Sequence, residues 1–132
     1  MIFEKEFILG CGVWQDEYII IFSTDIKASA EKRVAQLGLS RELPNNDDTG
    51  CFIDIREAND EAGIILFNLE TTDEGFIVHE SFHIVLKILK WRNITLNAKT
   101  EEVYAYTLQW LFNEVKNFHQ QALSEYEKQK AV

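Results

Sequence analysis

The chain has little proline and cysteine, no Lys/Arg-rich run and no long apolar stretch, and each of these shortages removes a class of protein. Thirteen Lys and Arg against 22 Asp and Glu give a formal charge of -9, and the basic residues form no Lys/Arg-rich run. A phosphate backbone needs clustered positive charge to displace its counterions, so nucleic acid is not an expected partner. The longest apolar runs, such as Tyr18-Ile19-Ile20-Ile21-Phe22, fall far short of the roughly 20 residues that cross a hydrocarbon core. No membrane partner is expected either. The amino end carries Glu4, Lys5 and Glu6 where a secretory signal begins basic and turns apolar, which predicts a cytoplasmic protein. Cys11 and Cys51 lack the CxxC spacing of a thiolate metal site and are expected to be reduced packing residues. Internal repeats, low-complexity tracts and Gly-rich phosphate loops are also missing.

What is present is 46% hydrophobic side chains in 132 residues, enough for one globular domain spanning residues 1–132 around one modest core. Phe7-Ile8-Leu9 and Tyr18 to Phe22 are rich in aromatic and β-branched residues, and Gly10, Gly12 and Gln15-Asp16 between them supply turn chemistry. A hairpin is predicted. Ile26, Ala30, Val34 and Leu37 recur at helical spacing before Gly38, which predicts a helix over about 25–37. The run Asn45 to Gly50 has turn composition. Cys51, Ile53 and Ile55 then alternate with Phe52, Asp54 and Arg56, and Ile64 to Leu69 follows Asn59 to Gly63 as the second arm of another hairpin.

Thr71-Thr72-Asp73-Glu74 offers a capping box, with Thr71 as the cap and Glu74 reaching back to it. The helix it opens is expected to run to about Trp91. Its apolar residues Phe76, Ile77, Phe82, Ile84, Val85, Ile88 and Leu89 point in several directions and predict burial on several sides. After a connection over Arg92 to Lys99, Thr100 can cap a last helix carrying Val103, Tyr104, Leu108, Leu111, Val115 and Phe118.

Within the first of these two helices stands His79-Glu80-Ser81-Phe82-His83. Residues four apart in a helix lie about 40° apart around the axis and one turn along it, so both imidazoles can address one point. Such a point suits a zinc ion, and Glu80, next to the first histidine, occupies the position of a general base. Catalytic zinc takes a third protein ligand. His119 is a poor candidate: in one helix from Thr100 it falls about 25 Å from the first turn and is expected to be an exposed residue. Glu101 and Glu102 follow His83 by 18 and 19 positions, a spacing that lets the chain turn back, although two acids in a first helical turn also complement the helix dipole. Periodicity leans slightly towards Glu101, which lies nearer the stripe of Tyr104, Leu108 and Leu111.

The order of strands, HExxH helix and second helix opening with glutamate resembles the minimal gluzincin-type zinc peptidases. More narrowly, His79 to Val85 followed by Glu102-Val103-Tyr104-Ala105-Tyr106 is similar to small HExxH proteins of phages and mobile elements, distantly similar to ImmA/IrrE-type peptidases. The resemblance covers mainly residues 72–115. It implies an α+β, minimal zincin-like fold, with a small, mostly antiparallel sheet packed on the HExxH helix and a second ligand-bearing helix. It also implies Zn²⁺ held by His79, His83 and Glu102, the last standing three positions before the Ala-Tyr pair. The implied activity is metallopeptidase hydrolysis of a protein or peptide substrate through zinc-activated water, with Glu80 as base. Tyr106, one turn beyond Glu102, is a candidate donor to the oxyanion. The competing expectation is a non-enzymatic interaction protein of a phage or mobile element, with a structural or vestigial metal site.

Overall fold

The computed structural model describes residues 2–10, 17–38, 44, 50–54 and 63–131. In chain order the elements are β1 (Glu4–Gly10), β2 (Glu17–Ser23), α1 (Ile26–Leu37), β3 (Gly50–Asp54), β4 (Gly63–Asn68), α2 (Glu74–Lys90) and α3 (Glu101–Lys130). The turn chemistry expected at Gly12, Gln15-Asp16, Asn45 to Thr49 and Asn59 to Ala62, and the cysteine at Cys11, lie outside the described residues.

The strands form one sheet in the order β1-β2-β4-β3. Both expected hairpin pairings are antiparallel, with Phe7 opposite Ile20 and Ile53 opposite Ile64. They are joined by a parallel pairing of β2 with β4, in which Ile20 faces Ile65 and Phe22 faces Phe67. The sheet is therefore mixed. The central position of β4 explains its unbroken apolar run: all six of its residues are buried, because both faces of the strand are covered.

Alternation across the pleat divides the core. Ile21, Ile64, Leu66 and Ile53 face α1 and pack against Ile26, Ala30 and Val34. On the other face Tyr18, Ile20, Phe22, Ile65 and Phe67 meet Ile77, Ile84, Val85 and Ile88 of α2 and Leu111, Val115 and Ala122 of α3. The α+β class expected from the sequence is what this architecture is. Helix α1 begins where Asp25 accepts a hydrogen bond from the Ala28 amide, and it stops at Gly38, whose φ of 66° is cheap only for glycine. Arg33 ties α1 to the edge strand by pairing with Glu4 at 3.3 Å and Glu6 at 2.6 Å.

Helix α3 crosses from α2 to the β1 side of the sheet, where Phe118 stacks on Phe7 at 4.5 Å and Glu125 pairs with Lys5 at 3.2 Å. His119 lies beneath this crossing, and it is not the exposed residue expected: it is 8% exposed and stacked on Phe22 at 5.3 Å. It continues the buried stripe of Leu111, Val115 and Ala122 by one polar residue. Its Nε2 makes no hydrogen bond among the described residues.

Burial pushes the His119 pKa below its ordinary 6.5, and the Glu74 carboxylate offsets this only in part. The unfolded chain therefore binds a proton at a higher pH than the folded one, so stability is whole above about 6.5 and falls as the pH drops below it. Between about pH 7 and about pH 5 the wild type is expected to lose more melting temperature than His119→Phe. Parallel losses in the two proteins would acquit His119.

Candidate metal centre

Helix α2 starts later than its capping box suggests. The Thr71 and Thr72 amides are already bound to the Asn68 carbonyl in the preceding turn, so Asp73 serves as the cap and accepts from the Phe76 amide at 2.8 Å. The far end closes through a Schellman motif: the Ile94 amide reaches the Leu89 carbonyl at 3.0 Å and the Asn93 amide reaches Lys90 at 3.0 Å. Asn93 supplies the left-handed residue at φ 59°.

Between these ends, Ile77, Ser81, Ile84, Val85 and Ile88 turn to the sheet. His79 and His83 occupy the opposite, solvent-exposed face. The helix is thus not buried all round: Phe82, one of the residues expected to bury it on several sides, and Val78 are each 39% exposed. The two rings stand edge to face at 74°, with their Nε2 atoms 3.3 Å apart. Two nitrogens held at about 2.0–2.1 Å on one tetrahedral zinc are separated by roughly 3.3–3.4 Å, so the donor pair fits that ion. The same contact is a hydrogen bond between the two rings, with donor and acceptor set by their tautomers.

Glu80 projects sideways from the pair, half-buried towards β3, where its Cγ is 3.6 Å from the point a Cβ on Gly50 would occupy. On the other flank lies α3, antiparallel to α2 and tied to it by Lys116 and Glu74 at 3.2 Å. Counting back from Lys116 at about 1.5 Å per residue brings Thr107 level with His83 and leaves Glu102 about 7.5 Å further along the axis. Around that axis Glu102 falls within about 40° of Lys116, on the outer side, whereas Glu101 turns towards the core side. Both carboxylates are exposed.

The described residues contain no cluster of three His, Cys, Asp or Glu side chains able to hold a metal. The structure thus brings His79 and His83 together and keeps Glu102 on the neighbouring helix, apart from them. Tyr106 is 68% exposed, and Cys51 is half-buried against the α1 core.

A depression of about 220 Å³ lined by His83, Leu86, Lys87 and Lys90 adjoins the pair. It shares Leu86 and Lys90 with a second of about 310 Å³ that extends over Ile94, Leu96 and Tyr104. Tyr104 anchors that end by donating its phenol to the Ile94 carbonyl. The groove was not foreseen, because its floor comes from two helix ends and the segment between them. Among the described residues no helix is long and apolar enough to cross a membrane. Comparison with family models, curated proteins and solved structures gave no match.

Proposed function

We propose that the chain is a zinc-dependent metallopeptidase in which His79 and His83 hold the ion and Glu80 is the general base. The observation that carries the proposal is the 3.3 Å separation of the two Nε2 atoms, which matches the nitrogen spacing on one tetrahedral ion. When bound, zinc supplies Lewis-acid polarisation of a carbonyl and lowers the pKa of water. The remaining work falls to the chain. Glu80, adjacent to His79 but turned towards β3, takes the proton from the attacking water and delivers it to the departing amine. The groove from His83 over Leu86 to Tyr104 offers an extended peptide a surface beside the pair.

Glu102, exposed on the neighbouring helix, is the proposed third ligand on the strength of the resemblance to HExxH proteins. A non-enzymatic metal-binding protein is the second possibility, favoured by the axial distance between Glu102 and the histidines. Glu80→Gln separates the two: it is expected to keep the zinc content of wild type and to lose about 10²–10⁴-fold in peptide cleavage. Cleavage is followed by mass spectrometry on a mixed peptide pool. Wild-type cleavage by Glu80→Gln would sink the mechanism, and no cleavage by either protein would favour the second possibility. Zinc lost from Glu102→Ala, but not from Glu101→Ala, assigns the carboxylate.

A further inference from the structure

Phe76 is held at three points. Its amide is fixed by the Asp73 cap at 2.8 Å. Its ring stacks on His79 at 5.7 Å with a 22° interplanar angle, within the range of offset aromatic pairs. The far edge of the ring lies over Gly50 at the start of β3, where an added Cβ would come within 2.8 Å of Phe76 Cε1 and 3.1 Å of the Leu66 carbonyl oxygen. Real Cβ atoms essentially never approach another atom that closely, so only glycine leaves the space the ring uses.

We infer that Phe76, seated in the notch left by Gly50, is a positioning residue that fixes the His79 imidazole so that its Nε2 meets that of His83. The inference rests on the proposed metal site and deepens it. An exposed histidine has no packed neighbours to select one rotamer, and each freely turning ring must be ordered when an ion is taken up. The stack does this ordering in advance. It links the edge strand to the donor pair through one aromatic ring, although Gly50 itself touches neither imidazole. The same notch receives Glu80, whose Cγ is 3.6 Å from the hypothetical Cβ, so one vacancy in β3 sets both the ligand and the base.

The test compares Gly50→Ala, Phe76→Leu, their double variant and Phe76→Tyr. Zinc affinity is measured by competition with a chromophoric chelator, and His79 ring-proton shifts are recorded on the metal-free proteins. Gly50→Ala and Phe76→Leu are each expected to bind zinc about tenfold more weakly, the range of lost outer-shell support. Their His79 signals should move downfield as the ring current of Phe76 is withdrawn. Because leucine relieves the 2.8 Å approach to the ring and leaves only the 3.1 Å approach to the Leu66 carbonyl, the double variant should lose less than the sum of the two single losses. Phe76→Tyr, which keeps the ring, should retain wild-type affinity.

Wild-type affinity in Phe76→Leu, or strict additivity in the double variant, overturns the inference. So do unmoved His79 shifts in a Phe76→Leu protein that melts cooperatively. Moved shifts in a chain whose wild type takes up no zinc uphold the positioning of His79 and overturn the metal proposal instead.

Discussion

Under the proposed metal site, His83→Ala is expected to purify free of zinc and wild type to retain close to one equivalent per chain. The pair supplies two of three proposed protein donors, and its Nε2 atoms stand 3.3 Å apart. Removing one therefore costs more than the roughly 10–100-fold in metal affinity associated with the outer shell. Because both histidines are exposed, the loss should leave the fold intact. The melting temperature of metal-free His83→Ala should match that of metal-free wild type, since surface substitutions usually stay within about 0.5 kcal/mol. Elemental analysis and paired melts read both quantities. Full zinc content in a His79→Ala/His83→Ala double variant would remove the site.

The opposite pattern is expected at Phe22. Its ring is fully buried, stacked on Phe67 at 5.1 Å and 15°, edge-on to Phe7 at 6.1 Å, and in contact with His119 at 5.3 Å. Phe22→Ala opens a void beneath both the α2 and α3 layers and should cost about 3–5 kcal/mol. Against a total stability of roughly 5–15 kcal/mol that is a large fraction. Thermal denaturation should show a midpoint at least about 10 °C below wild type. Phe82→Ala, an aromatic truncation of equal size at a 39% exposed position, should fall well short of that. Equal losses at the two positions would show that the core does not centre on Phe22.

How much of this could be read in the sequence depends on the range of the cause. Local causes were legible: the alternation in β3, the aromatic and β-branched runs of β1 and β2, the Gly38 stop, and the i, i+4 spacing that brings His79 to His83. The parallel pairing of β2 with β4 was not, because no pattern within either strand states which neighbour it takes. The helix of the HExxH segment was expected to be buried on several sides, since apolar residues occupy much of its circumference. Which sides are covered is decided by where α3 and β3 dock, and they leave Val78 and Phe82 partly open.

The burial of His119 is hidden in the sequence for a different reason. It sits four residues after Val115 and three before Ala122, on the buried stripe, but a polar side chain at that spacing reads as the end of the stripe. Gly50 has the composition of a turn residue in the sequence, and its role against Phe76 is visible only in space. Spacing alone does not separate Glu101 from Glu102, because an 18- or 19-residue separation from His83 fixes neither the pitch nor the rotation of the second helix.

The sheet that divides the two cores also divides the consequences of mutation. On β4 the neighbours Ile64, Leu66 and Ile65, Phe67 belong to opposite layers, so a substitution in the α1 layer exchanges few side-chain contacts with the layer beneath the histidines. Sequence drift can accumulate under α1 while the donor pair keeps its surroundings. Repacking one face of this strand can thus leave the side chains on its other face in place.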